Sequence, residues 1–129
     1  MQVYFEKINL DVVRCATSEK DTILNMRGEI KMEKFIGKYV IVRGDRSGVF
    51  AGILKEKKGC EVVLTNCRRL WYWDGAASLS QLSTDGVSKP MNCKFTVIVD
   101  EIGILDAIEI IPCTGKAETN IGGVDIWSA

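Results

Sequence analysis

The sequence predicts an α+β fold: a small, mostly antiparallel β-sheet, or a partly open barrel, with one or two short helices. Runs rich in β-branched and aromatic residues recur from residue 39 onward. Short turns that contain glycine, at residues 43–48 and 57–59, separate these runs as in an antiparallel meander. Helical spacing occurs only in short segments, and 129 residues suit a single domain, residues 1–129, with one modest core.

The N-terminal segment, residues 1–36, has the weakest pattern. Apolar and polar residues alternate between Val3 and Val12, which predicts a strand. A weak capping signal at Ser18 indicates a short helix, and a hairpin that closes near Gly28 is the alternative. We expect an edge strand here, or an arm onto a neighbouring subunit, followed by a β-rich body over residues 37–129.

Three consecutive strands are predicted in this body, over residues 39–42, 49–54 and 61–73. Gly52, inside the second strand, indicates a bulge or the close approach of another backbone. On the third strand, alternation puts the even-numbered residues on one face and the odd-numbered residues on the other. Both faces then carry an arginine and an aromatic ring, so we expect each face to meet a second layer or a second subunit.

A short helix is predicted from about Gly75 to Ser83, with Asp74 as a plausible N-cap and an end at Asp85–Gly86. Strands are expected next, separated by a bulge or tight turn at residues 100–101. Thr114 is expected to cap a final helical turn, after which Trp127 folds back onto the sheet. The expected ranges are 95–99 and 102–111 for the strands and 114–121 for the helical turn.

Composition argues against several functional classes. The 17 Lys and Arg residues balance 17 Asp and Glu residues, whereas a general nucleic-acid binder carries a basic excess. The chain contains no histidine, so the usual general base near neutral pH is missing and we do not expect an enzyme. Its five cysteines have no C-x-x-C spacing, which favours reduced thiols and argues against zinc or another cofactor. Without an apolar run of roughly 18 residues, we expect no membrane span and a cytoplasmic protein.

The stretch from Cys67 to Leu82, CRRLWYWDGAASLSQL, is the main candidate for function. Arg68 and Arg69 can each fork donors toward a phosphate, and the rings of Trp71 and Trp73 can stack on a nucleobase. The alternative is a core edge or an oligomer interface, where arginine stacks on aromatic rings for structural reasons.

Two further segments offer anion donors. The predicted helix start exposes backbone N–H groups and the hydroxyls of Ser78 and Ser80, although self-capping by Ser78 and Gln81 is the plainer interpretation. The turn at residues 43–48 combines glycines with Arg43 and Arg46 as a possible backbone nest, or is simply a solvated hairpin turn. The acidic residues after residue 100 are expected to face solvent, and no metal site is predicted.

The chain also resembles a known group of proteins. The run VIVRGDRSGVFAGIL, then VVLTNCRRLWYWDGAASLSQLSTDG, then CKFTVIVDEIGILDAIEIIPCT is similar to a family of small phage-encoded anti-defence proteins, the nucleotide sponges typified by Thoeris anti-defence protein one. The resemblance covers roughly residues 39–127. It implies a homo-oligomer in the host cytoplasm that binds a cyclic ADP-ribose isomer or a cyclic oligonucleotide and does not cleave it. It directs attention to Arg68, Arg69, Trp71 and the region around Ser78.

The resulting expectation is a protein that sequesters an immune second messenger of the nucleotide type. One alternative is a protein–protein or oligomerisation module without a small-molecule ligand. Another is a hydrolase or lyase of the same signals that uses carboxylates. The residues expected to bind the ligand are Arg43, Arg46, Arg68, Arg69, Trp71, Trp73, Ser78 and Ser80.

Overall fold

A computed structural model describes residues 33–129 of the chain. The expectations for a strand, helix or arm before residue 33 lie outside these residues. The described part contains six strands, two α-helices and one 3₁₀ turn, so the predicted α+β class is confirmed. The strands are β1 (Tyr39–Gly44), β2 (Val49–Lys58), β3 (Glu61–Tyr72), β4 (Lys94–Phe95), β5 (Val99–Ile104) and β6 (Ala107–Pro112); the helices are α1 (Leu79–Asp85) and α2 (Gly115–Gly122), and the 3₁₀ turn is Pro90–Asn92.

All six strands belong to one antiparallel sheet in the order β4-β3-β2-β1-β6, with β5 beside β4 along the same edge of β3. Only Leu105 and Asp106 connect β5 to β6, although these strands lie on opposite edges of the sheet. So short a connection brings the two edges together at this end and bends the sheet into an open barrel.

Each face of the sheet buries a core. The concave face encloses Phe50, Leu64 and Ile104 among others, which we call the barrel core. The convex face packs against the helices, where Leu82 of α1 and Ile121 of α2 meet Leu70 of β3; this is the helix-side core. The expectation that both faces of β3 meet another layer is therefore met within the described residues.

The predicted division of β3 into odd and even faces is wrong beyond Asn66. Asn66 has a positive φ of 50°, and the register against β2 shifts there, between Ala51 and Ile53. This bulge moves Cys67 into the barrel core and turns Arg68 toward the helices. Gly52 faces the bulge and leaves no room for a side chain, since a Cβ there would lie 2.4 Å from the Cβ of Cys67.

The helices and the tail follow the sequence closely, with shifted bounds. Helix α1 begins four residues later than predicted, because Ser78 and not Asp74 is its N-cap and accepts from the backbone N–H of Gln81. Thr114 caps α2 as expected. The turn expected at residues 100–101 lies instead at 105–106. Trp127 returns to the sheet as predicted, through its N–H to the Phe95 carbonyl at 2.9 Å.

The described part of the chain contains no helix that is long and apolar enough to cross a membrane. Cys67, Cys93 and Cys113 are free thiols.

Candidate ligand-binding site

An open cleft of about 420 Å³ lies where the two edges of the sheet approach each other. The turn between β1 and β2 forms one wall, and the end of β5 with the β5–β6 turn forms the other. Its lining combines two arginines, a carboxylate and apolar side chains: Arg46, Ser47, Phe50, Arg69, Ile102, Gly103, Ile104, Leu105 and Asp106.

Arg69 is the best-positioned cation in this cleft. Its guanidinium carbon lies 4.5 Å from the centre of the Phe50 ring, and its Nη1 donates to the Ser47 carbonyl at 2.7 Å. Cation–π stacking and one hydrogen bond thus fix the group while it is only half-buried. Its other N–H groups have no hydrogen-bond acceptor among residues 33–129 and remain available to an anion.

Asp106, in the β5–β6 turn, shapes the cleft by holding the β1–β2 turn. Its carboxylate accepts from the backbone N–H groups of Arg46 at 2.7 Å and Ser47 at 3.1 Å, and from the Ser47 hydroxyl at 2.5 Å. Partial burial raises the pKa of Asp106, but these hydrogen bonds outweigh it and hold that pKa below its usual value. Asp106 is therefore a turn-fixing carboxylate and stays ionised near neutral pH.

Arg46 extends from the turn that Asp106 fixes. Its side chain is exposed, and within the described part of the chain its guanidinium has no hydrogen-bond or ion-pair partner. The structure thus brings together two of the arginines that the sequence singled out, Arg46 and Arg69, which are 23 positions apart in the sequence.

A second feature, the aromatic platform, is formed by Trp71, Tyr72, Lys94 and Trp127. The rings of Trp71 and Trp127 are nearly parallel, at 6°, with centroids 6.4 Å apart. The Lys94 ammonium lies 5.5 Å from the Trp127 ring centre and 5.9 Å from that of Tyr72. Trp71 is nevertheless 63% exposed, so much of its surface remains free for a planar partner.

The platform lies next to the cleft along β3. Trp71 follows Arg69 by two residues, which places their Cα atoms roughly 7 Å apart in an extended strand. A register shift against β4 between Leu70 and Tyr72 exposes both Trp71 and Tyr72, whereas Trp73 packs on the helix-side core. The expectation that Trp73 shares a face with Arg69 is therefore wrong.

Arg68 occupies a different environment from its neighbour. It is 1% exposed and donates from Nε to the Thr96 carbonyl, from Nη1 to those of Ile121 and Val124, and from Nη2 to that of Phe95, at 2.9 to 3.2 Å. Burial lowers the pKa of its guanidinium. Four of its five N–H groups are engaged in the fold, so Arg68 is not part of the candidate site.

The other predicted residues lie outside the cleft lining. Arg43 is exposed and pairs with Glu109 at 3.0 Å. Ser78 uses its hydroxyl to cap α1, which confirms the self-capping interpretation, and Ser80 is exposed on that helix. Trp73 serves the core as described above.

Several residues that complete the site were not among those predicted to bind the ligand. Phe50, Asp106 and Lys94 join the arginines or the rings from distant positions in the chain. One signal was visible: Asp106 is an acidic residue set among apolar residues and lies directly before the last strand. Among the described residues, no group of three histidine, cysteine or acidic side chains is placed to hold a metal ion.

Residues 37–121 match a protein family described as a domain of unknown function, DUF6948. No curated protein matches the sequence. Similar solved structures include a heptameric archaeal Sm protein, 17% identical, with a TM-score of 0.43 over 66% of this chain and 98% of that one. The P. aerophilum SmAP1 heptamer is 18% identical, with a TM-score of 0.45 over 68% and 95% of the two chains. Likeness at this level has no bearing on function.

Proposed function

The chain belongs to the DUF6948 family, a domain of unknown function, and we propose that it binds and sequesters a nucleotide second messenger of host immunity without cleaving it. The ligand class is a cyclic ADP-ribose isomer or a cyclic oligonucleotide. By holding this signal in the host cytoplasm, the protein blocks anti-phage defence. It acts as a sponge of the kind that its sequence resembles.

The observation that carries the proposal is Arg69, fixed on the Phe50 ring in an open cleft that Arg46 also lines, with Trp71 two residues further along the strand. A nucleotide presents a phosphate and a flat base a short distance apart. The guanidinium groups suit the phosphate, and an exposed indole suits the base, at about 1–3 kcal/mol per stacked base. A neutral protein can bind such a ligand because a few local donors suffice.

A role in storage, without turnover, fits the groups that line the cleft. Its one carboxylate, Asp106, is engaged by three hydrogen bonds from the β1–β2 turn. Its lowered pKa makes it a poor general acid or base near neutral pH. The chain also has no histidine that could take that role.

The proposal includes a homo-oligomer. The cleft is open to solvent, and Leu105 and Ile108, at and just after the β5–β6 turn, are 71% and 51% exposed. A second copy that covers these side chains would close the cleft, exclude water and strengthen the charged contacts.

Calorimetric titration with cyclic ADP-ribose isomers and with cyclic di- and trinucleotides tests this function. We expect micromolar or tighter binding of at least one ligand, with Arg69→Ala and Trp71→Ala each weakening it about tenfold or more. Arg43→Ala is the matched control, since this arginine is exposed but outside the cleft, and it should leave the affinity unchanged. Absence of binding by every ligand would overturn the proposal.

Release of the ligand by heat separates storage from turnover. Mass spectrometry of the supernatant should recover the nucleotide intact after prolonged incubation with excess protein. A hydrolysed or rearranged product would instead support the hydrolase or lyase alternative.

A protein–protein module without a small-molecule ligand is the second candidate. It is favoured by the aromatic platform, because exposed Trp and Tyr beside a cation are typical of protein interfaces. In that case Trp71→Ala would change the sedimentation behaviour of the protein, and no nucleotide would bind to either form.

A further inference from the structure

Arg68 joins two chain segments that are remote from each other in sequence. Arg68 lies on β3. Its guanidinium donates to the carbonyls of Phe95 and Thr96, which precede β5, and to those of Ile121 and Val124, at the end of α2 and just after it. The Arg68 guanidinium also lies 5.6 Å from the centre of the Phe95 ring. Arg68 is a buried cation with four carbonyl acceptors and no carboxylate partner in the described part of the chain. Burying it in this way costs desolvation free energy.

The segment that Arg68 holds continues directly into the aromatic platform. Val124 is three residues from Trp127, and Ile126 forms a parallel bridge with Phe95. The Trp127 N–H then donates to the same Phe95 carbonyl that accepts from Arg68. This short path fixes the backbone at both ends of residues 124–127, and the indole of Trp127 comes to rest on Trp71.

Few other contacts hold this tail. Within residues 33–129, the side chain of Asp125 and the residues after Trp127 make no hydrogen bond or ion pair, and the side chains of Ile126 and Trp127 are 57% and 44% exposed. Val124 is the one side chain of residues 123–129 that is buried in the core. The guanidinium of Arg68 and the bridge at Phe95 therefore determine where Trp127 lies.

We infer that Arg68 is a positioning residue for ligand binding: it fixes residues 121–127 against β3 so that Trp127 supports Trp71 as a stacking surface. This inference rests on the proposed function, because it specifies how the base-stacking part of that site is built. It gives the C-terminal tail a part in recognition that the sequence pattern did not assign, and it gives Arg68 a functional role without ligand contact.

Far-ultraviolet circular dichroism tests the positioning without any ligand, because two neighbouring indoles whose transition dipoles are rotated against each other give an exciton couplet. The wild-type protein should show the couplet, and Trp71→Ala and Trp127→Ala should abolish it. Arg68→Lys keeps the charge but loses the fork of donors, and it should reduce the couplet while the strand signal persists. Ile126→Ala is the matched control, an exposed neighbour of Trp127 in the tail, and it should retain the couplet.

Nucleotide affinity provides the second readout. Trp127→Ala should weaken binding about tenfold, because Trp71 loses the ring that supports it for base stacking, and Trp127→Phe should restore most of the affinity. Arg68→Lys should lose affinity in proportion to its loss of the couplet. An Arg68→Lys protein with an intact couplet but weakened binding would overturn the inference, since Arg68 would then act on the ligand directly.

Failure of this inference can be distinguished from failure of the proposed function. If no nucleotide binds the wild type, the proposed function fails, whereas the couplet still decides whether Arg68 positions Trp127. If Arg68→Lys does not fold, hydrogen exchange on the wild-type protein tests the premise that the tail is fixed on the sheet. The Trp127 amide should be protected, and exchange at the rate of an unstructured amide would refute the positioning.

Discussion

Replacing Arg68 with methionine should destabilise the protein by about 2–4 kcal/mol. Methionine fills a similar apolar volume but donates no hydrogen bond, so four carbonyls lose a donor. The Phe95 and Ile121 carbonyls keep second donors, from the N–H groups of Trp127 and Val124. The Thr96 and Val124 carbonyls have no second donor among the described residues.

The magnitude follows from those two carbonyls. Each costs about 1–3 kcal/mol when it is left buried without a donor. Removing a desolvated guanidinium, whose pKa is already lowered by burial, returns part of that cost. For a chain of this length, the net loss should lower the melting temperature by about 10 °C.

Urea unfolding followed by tryptophan fluorescence measures the change. The control is Arg43→Met, which removes an exposed ion pair and should cost less than about 0.5 kcal/mol. A loss below about 1 kcal/mol for Arg68→Met, with an unchanged denaturant slope, would refute the reasoning, because it would mean that water or a shifted backbone satisfies the orphaned carbonyls.

Three further substitutions test the contacts that hold the β1–β2 turn, the bulge in β3 and the start of α1. The pKa of Asp106 is lower in the folded protein than its unfolded value near 3.8, so the ionised carboxylate stabilises the fold above that pH. This stability is lost as pH falls through the folded-state pKa. Acid unfolding of Asp106→Asn should therefore lack this pH-dependent loss of stability. Gly52→Ala places a Cβ 2.4 Å from the Cβ of Cys67 and should lower the free energy of unfolding, measured by chemical denaturation, by about 1–3 kcal/mol. Stability equal to that of the wild type would mean that the backbone at the bulge shifts to make room. Ser78→Ala removes the cap on the Gln81 amide and should cost about 1 kcal/mol, with Ser78→Asp retaining the stability.

The strands and the N-cap of α2 were predictable because their signals are local. The β-branched run that starts at Tyr39, and the glycine turn before Cys60, each decide a structure within a few residues. Thr114 likewise caps a helix through its own neighbours. Such interactions depend on residues that are adjacent in the sequence, and a single sequence records them directly.

The roles of the two adjacent arginines were not predictable in the same way. Alternation correctly sends Arg68 and Arg69 to opposite faces, but the bulge at Asn66 decides which face each one joins. What each arginine meets there depends on Phe50 and on the carbonyl of Val124, which lie far away in the chain. The same limit applies to Asp106, whose partners are about 60 residues away.

The charge balance of the cleft leads to a last prediction, which depends on the proposed nucleotide ligand. Arg46 and Arg69 bring two positive charges and Asp106 one negative charge. The cleft therefore carries one net positive charge, which attracts an anion. Binding should therefore weaken only modestly as salt is raised, in contrast to a protein that neutralises many phosphates. Arg69 is already held by Phe50 and Ser47, so little side-chain entropy remains to be lost when the ligand binds.

Calorimetry of the tightest ligand between 50 and 300 mM salt (roughly a twofold change in screening length) measures this dependence. Asp106→Asn raises the net charge of the cleft and should steepen the salt dependence, while Asp85→Asn, an exposed carboxylate on α1 outside the cleft, should leave it unchanged. If wild type and Asp106→Asn have the same salt dependence, the anion does not bind near Asp106. The cleft would then lose its assigned role, and Lys94, which lies beside the rings of the aromatic platform, would be the next cation to test as the phosphate partner.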